Sequence, residues 1–321
     1  MKQDPKSVRI VFLGTPGFAA CSLEKLIAEK YNIVGVITAP DRPGGRGQQL
    51  QQSEVKQTAV QHNIPVLQPE KLKAPDFLEE LNQLNPELMI VVAFRMLPEI
   101  VWSLPKMGTF NLHGSLLPQY RGAAPINWAI MNGEKKTGVT TFMLQQEIDT
   151  GKILMRSEIL IRENETSGEL HDRMMVVGAN LVVATVDAIA NNAIEPVDQS
   201  RLISSEIELK DAPKIFRETC KIDWSWSGER IRNHVRGLNP FPSAWTGLAR
   251  EDGTVIPLKV LACRFEKKSN ELPIGTTNEL LQIHVCDGII HIEEVQAPGK
   301  KKLLVSEFLK GFRIYSSDRF C

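Results

Sequence analysis

The chain has 321 residues, 42% of them hydrophobic and 24% charged, with 38 basic side chains balancing 38 acidic ones. That composition is ordinary for a soluble globular protein, and the length suggests two domains. Charge is split unevenly: residues 1–200 carry 19 basic against 22 acidic side chains and residues 201–321 carry 19 against 16. A modestly basic second half permits a polyanionic partner.

No uninterrupted apolar run approaches the roughly 20 residues that span a bilayer, and MKQDPKSVRIVFLG lacks a signal-peptide pattern. The expectation is therefore a cytoplasmic chain with no membrane association. Its five cysteines are scattered without CxxC or CxxH spacing, so neither a disulfide framework nor a metal site is expected.

From the N-terminus, VRIVFLG (8–14) is short, apolar and β-branched, and reads as a buried strand. Gly14-Thr15-Pro16 turns it into a helical pattern, FAACSLEKLIAEK, and the absence of GxGxxG makes the turn a weak dinucleotide signal. NIVGVIT (32–38) and ELMIVVAF (87–94) are further buried strands, with helical FLEELNQL between them. Such alternation predicts a doubly wound, mostly parallel sheet with its ligand beyond the carboxyl ends of the strands. Residues 38–56, rich in Pro, Gly, Gln and Ser, are expected to be irregular and exposed, with Arg42, Arg46 and Lys56 available for contact.

Residues 168–190 predict an amphipathic helix, and the polar, aperiodic run 191–214 predicts a linker. Beyond it, a helix capped near Ser225 or Ser227 should end at Gly237, with Arg232 and Arg236 four apart on one face. Short strands then follow (SAWTGLA, VIPLKVLAC, LLQIHVC, GIIHIEEV), as in a small antiparallel barrel.

The chemistry concentrates in residues 111–151. GTFNLHGS reads as a strand ending near His113, and GAAPINWAIMNG starts a helix with Pro125 in its first turn. GVTTFMLQ (138–145) is a strand followed by a turn at Asp149-Thr150-Gly151. Alone, each polar residue has a structural explanation. Together, Asn111, His113 and Asp149 at two strand ends could converge: a carboxylate orients an imidazole, the imidazole moves a proton, and an amide donates to a developing oxyanion. No serine or cysteine nucleophile accompanies them, which leaves acyl transfer to a substrate amine as one option.

NLHGSLLPQYRGAAPINWAI and TGVTTFMLQQEIDTGKIL, with GTPGFA and APDRPGGRG upstream, resemble the methionyl-tRNA formyltransferase family along nearly the whole chain. The resemblance implies a Rossmann-like α/β formyltransferase domain (1–190) that binds folate and carries catalysis, a linker (191–214), and an OB-like tRNA-binding β-barrel (215–321). It implies transfer of formyl from 10-formyltetrahydrofolate, a consumed co-substrate, to the amino group of methionyl initiator tRNA, without a metal and by a monomer. Asn111, His113 and Asp149 match the family's catalytic trio. Ser115, Leu116, Leu117 and Pro118 match the turn bordering the folate, and main chain at 94–97 and 145–149 would line the pterin pocket. Arg42, Arg46, Arg232 and Arg236 are the expected tRNA contacts. Two departures stand out: Gly17 replaces a frequent Asp, and Ala93-Phe94-Arg95-Met96-Leu97-Pro98 is one residue shorter than usual. Folate-dependent formylation of a sugar-nucleotide amine or glycinamide ribonucleotide is the related alternative, and RNA binding without catalysis the unrelated one.

Overall fold

The computed structural model describes residues 3–44, 49–203, 208–269, 272–315 and 317–321. The chain divides into two compact units: Met1–Gly122, Thr137–Ile159 and His171–Asp211 form the first, and Ala123–Lys136, Leu160–Leu170 and Ala212–Cys321 the second.

The first unit runs β1 (Ile10–Gly14), α1 (Gly17–Ala28), β2 (Ile33–Ile37), β3 (Arg42–Gly44), β4 (Gln49–Gln51), α2 (Glu54–Gln61), β5 (Val66–Leu67), α3 (Pro75–Gln83), β6 (Leu88–Val92), α4 (Glu99–Trp102), β7 (Thr109–His113) and the short β8 (Arg121–Gly122). After α5 (Pro125–Met131), which belongs to the second unit, come β9 (Lys136–Met143), β10 (Ile153–Leu160) and the long α6 (Ser167–Ala190), whose residues up to Leu170 also fall in the second unit. One sheet is ordered β10-β9-β7-β6-β1-β2-β5. Its β1–β2, β1–β6, β2–β5 and β6–β7 pairs are parallel, and β9 is antiparallel to β7. All five residues of both β1 and β6 are buried, as a parallel strand covered on both faces requires.

Gly14 ends β1 where a Cβ would drive into the Ala19 side chain and lie 2.9 Å from the Val92 carbonyl oxygen. Close approach of α1 and β6 thus explains this glycine without a nucleotide. Residues 38–56 are more regular than expected: β3 and β4 pair as a small antiparallel hairpin, and Ser53 caps α2 by accepting from the Lys56 amide. Arg46 lies outside the described residues.

By length and composition α6 could cross a membrane. Its Leu170, Met174, Ala179, Val182, Val186 and Ala190 are nonetheless buried at near-helical spacing, the stripe of a core helix.

In the second unit, strands Ala244–Ala249, Val255–Lys267, Gln282–Val285, Gly288–Gln296, Leu303–Leu304 and Arg319–Phe320 form one antiparallel sheet. Bridges from Thr276 to Arg319 and from Thr277 to Ile283 join its two edges, and register shifts between Val260 and Cys263 bend the longest strand. The result is a nearly closed barrel, consistent with an OB-like fold. α7 (Gly228–Gly237) starts at Ser227, whose hydroxyl accepts from the Arg230 amide, and inserts Ile231 and Val235 into the barrel core. Gly237 allows α5 to pack closely: Asn127 donates to its carbonyl at 2.8 Å, and a Cβ there would lie 3.1 Å from the Asn127 oxygen.

His234 on α7 is 3% exposed, packs edge-on to Trp226 at 5.1 Å and hydrogen-bonds the Cys220 backbone. Burial pushes its pKa from 6.5 down to about 4, so the folded state keeps it neutral where the unfolded chain protonates it. Its contribution is complete above pH about 6.5 and is lost as pH falls toward 4, by on the order of 3 kcal/mol. The denaturation midpoint of wild type is expected to fall more steeply between pH 6.5 and 4.5 than that of His234→Gln; parallel profiles would contradict this assignment.

Candidate active site

β7 alternates its side chains across the sheet. Leu112 faces α6, where a Cβ on Gly178 would sit 2.8 Å from its Cδ2, and Asn111 and His113 share the opposite face. On that face their antiparallel neighbours are Phe142, opposite Asn111, and Thr140, opposite His113. The His113 ring meets Phe142 edge-on at 6.5 Å.

His113 is 6% exposed, and its Nε2 lies 2.8 Å from the carbonyl oxygen of Tyr120. A carbonyl only accepts, so Nε2 carries the hydrogen and Nδ1 is the free nitrogen of the neutral ring. Tyr120 can present that carbonyl because it sits at φ 59°, its own amide donating to Lys210 at 2.6 Å. The Tyr120 carbonyl thus fixes the tautomer from one side of the ring, and Asp149 faces the other side.

Asp149 Oδ2 lies 3.8 Å from Nδ1, beyond a direct hydrogen bond, and accepts from the Gly122 amide at 2.9 Å. The carboxylate therefore faces whatever proton Nδ1 receives. Asp149 adopts φ 54°, a left-handed conformation its short polar side chain tolerates. Gly151 is required two residues on, because a Cβ there would overlap the Met143 carbonyl oxygen.

The route by which Asp149 arrives differs from the expected meeting of two strand ends. β9 ends opposite Phe110, three residues back from His113, or roughly 10 Å along the strand. Segment 144–150 must fold back over the sheet face to bring the carboxylate to His113. Asn111, half-buried, makes no side-chain hydrogen bond among the described residues and keeps its amide donors available.

Of the turn residues, Ser115, Leu117 and Pro118 are buried and Leu116 is half-buried over Gly138. The Ser115 hydroxyl donates to the Gln119 carbonyl at 2.6 Å. The Thr140 hydroxyl donates to the Ser115 carbonyl at 2.6 Å and accepts from the Leu117 amide at 3.1 Å. This turn is riveted to β9; elsewhere Ala93, Arg95, Met96 and residues 145–148 are exposed. At the Gly17 departure, Glu54 Oε2 occupies the space of a side chain at 17, so an Asp there would confront a second carboxylate.

The four expected cations differ in setting. Arg42 is exposed. Arg236 is 8% exposed, its guanidinium donating to Asn233 at 2.8 Å and to the Glu165 carbonyl at 3.0 Å. Arg232 donates to the Glu163 carbonyl at 3.0 Å and pairs with Glu229 at 3.4 Å. Both therefore brace α7. Sequence reasoning missed the exposed set beside aromatics: Lys214 over Phe216, Arg217 and Lys221 over Trp245, and Arg230 over Trp226. No group of three or more His, Cys, Asp or Glu side chains suited to a metal occurs among the described residues.

The fold and this site place the chain among the formyl transferases. Residues 8–186 match the formyl transferase family and residues 214–313 the formyl transferase C-terminal domain. Solved structures share the fold: a sugar 3N-formyl transferase at TM-score 0.62 and 19% identity, covering 92% of this chain and 99% of that one, and a glycinamide ribonucleotide transformylase from Symbiobacterium toebii at 0.51 and 16%, covering 60% and 94%. The methionyl-tRNA formyltransferase of Phocaeicola vulgatus is 50% identical over 321 residues, 98% of this chain and 99% of its own. That of Bacteroides thetaiotaomicron is 47% identical over 313 residues, 96% and 97%. The chain belongs to the methionyl-tRNA formyltransferase family.

The tautomer can be checked directly. Nitrogen-15 NMR of the neutral protein is expected to show His113 protonated at Nε2 and bare at Nδ1; the reverse pattern would overturn the assignment.

Proposed function

We propose that the chain transfers the formyl group of 10-formyltetrahydrofolate to the free amino group of methionyl initiator tRNA, and works as a cytoplasmic monomer. The observation that carries the reading is the shared face of Asn111 and His113 with the Asp149 carboxylate 3.8 Å from Nδ1, in a chain with near-full-length relatives of that name. Segments 93–96 and 145–148, largely exposed, and the turn Ser115–Pro118 are proposed to border the folate.

In this mechanism the amine attacks the formyl carbon and negative charge develops on the formyl oxygen. Asn111 donates its amide to that oxygen, a contact that strengthens as charge builds. His113 Nδ1 takes the proton leaving the amine, while Nε2 stays donated to Tyr120. Asp149 balances the resulting imidazolium and is itself held in place by the Gly122 amide. The proton on Nδ1 is then available to the departing nitrogen.

Lys214, Arg217, Lys221 and Arg230 are proposed to follow tRNA phosphates, joined by Arg42 and Arg46. Each of the first four is exposed and lies beside an aromatic ring, a combination suited to nucleic acid.

In single-turnover assays with formyl-donor folate and methionyl initiator tRNA, Asn111→Ala and His113→Ala should each lower formylation on the order of 10²–10³-fold. Rates near wild type would overturn the catalytic assignment, and blocking of a sugar-nucleotide amine or glycinamide ribonucleotide instead would overturn the acceptor. In tRNA titrations at increasing salt, Arg217→Ala/Lys221→Ala should flatten the log–log slope by about 1–2 while leaving folate binding unchanged; an unaltered slope would remove these two residues from the phosphate contacts.

A further inference from the structure

The expected linker, 191–214, contains a residue built into the site. Gln199 opens a short 3-10 turn (Gln199–Leu202), with Asp198 accepting from the Ser200 amide at 3.0 Å. Just before it, Val197 and Ile153 exchange two backbone hydrogen bonds of 2.8 Å, which fixes this stretch beside the first residue of β10. Leu202 packs against the cluster of Leu117, Phe142 and Ile153.

The Gln199 side chain is 2% exposed and its amide is fully used. Nε2 donates to the carbonyl of Asp149 at 2.9 Å and of Gly151 at 2.8 Å. Oε1 accepts from Arg121 twice, from Nε at 3.1 Å and Nη2 at 2.6 Å. This pattern also fixes which end of the amide is which, because the reverse orientation would set an oxygen against two carbonyl oxygens and an NH₂ against a guanidinium.

We propose that Gln199 is a positioning residue for the reaction: it holds the left-handed Asp149 turn and the Arg121-Gly122 segment in register, so that the Asp149 carboxylate stays opposite His113 Nδ1. Two halves of the site meet at this one amide. The turn supplies the carboxylate, and the segment supplies the Gly122 amide that anchors it. Gln199 touches neither His113 nor the space where the formyl group reacts; it acts through Asp149. A turn at positive φ has no regular strand or helix bonds to hold it, so two donors on its carbonyls supply the restraint that secondary structure supplies elsewhere.

The proposal rests on the catalytic role assigned to Asp149, and the test separates the two. Gln199→Leu removes all four hydrogen bonds. Gln199→Glu keeps the shape and strengthens the contact with Arg121, but turns a carboxylate oxygen toward the two carbonyls and loses both donors. Each variant is expected to lower kcat by about 10- to 100-fold, the scale of a small misplacement of a catalytic group, with KM for folate and tRNA within about threefold. In an Asp149→Asn background the same substitutions should cost less than about threefold, because the group they position is already disabled. Thermal unfolding reports on folding, and Gln199→Glu serves if the leucine variant does not fold. Turnover near wild type in a Gln199 variant, a loss confined to KM, or a full loss repeated in the Asp149→Asn background would each overturn the clamp. Wild-type turnover in Asp149→Asn alone would overturn the catalytic reading and the clamp with it.

Discussion

The hydrogen bond from His113 Nε2 to the Tyr120 carbonyl is the constraint on which the site depends. By occupying one ring nitrogen it leaves the other, Nδ1, bare, and it points that nitrogen toward Asp149. A carboxylate at the same nitrogen could have fixed the tautomer as well, but it would also hold a negative charge against the ring on that side. Using a main-chain acceptor on the far side leaves a gap beside Nδ1 into which a substrate proton can be delivered. The arrangement requires a buried tyrosine at positive φ, a local strain of order 1–3 kcal/mol that the surrounding bonds must offset.

Much of this was legible in the sequence, and the exceptions have physical causes. Buried parallel strands are short, apolar and β-branched, so β1, β6 and the end of β7 at His113 could be located. Asp and Gly favour turns, so Asp149 could be placed at one after the strand. What could not be read was the course of the turn. β9 runs antiparallel to β7, and nothing in its pattern says that the segment after Met143 returns across the sheet face. The Tyr120 carbonyl was equally hidden, because a backbone acceptor is available from any residue and its direction depends on the local backbone dihedrals. Gln199 lay in a polar, aperiodic stretch with the composition of a linker, yet it is among the most completely hydrogen-bonded side chains in the first unit.

The second unit shows the matching limit for charge. Spacing of four correctly puts Arg232 and Arg236 on one face of α7, but it does not reveal that the face is covered. Arg236 is buried, and desolvation lowers its pKa from the usual arginine value, with neighbouring Arg232 acting in the same direction. A guanidinium so placed needs its acceptors, here Asn233 and the Glu165 carbonyl, to remain inside at all. The exposed cations instead occur between residues 214 and 230, interleaved with Phe216, Trp224 and Trp226. Of these aromatics, Trp224 is core, donating its indole N–H to Thr246 at 2.9 Å. Counting charges by halves of the chain therefore does not find the surface on which the exposed cations lie.

Because Asp149 is carried by a returning segment and not by a strand, its position is not guaranteed by the sheet. A side chain on β7 inherits its direction from the ladder: Asn111 and His113 face one way as long as β6 and β9 hold the strand flat. Asp149 has no such inheritance, and three local devices replace it. Gly151 lets the chain pass against the Met143 carbonyl, the Gly122 amide holds the carboxylate, and Gln199 ties the turn's carbonyls to Arg121. Asn111 and His113 are thus fixed by the fold as a whole, and the carboxylate by a few contacts specific to it. Substitutions in those contacts should therefore alter chemistry before they alter stability, whereas substitutions beneath β7 should do the opposite.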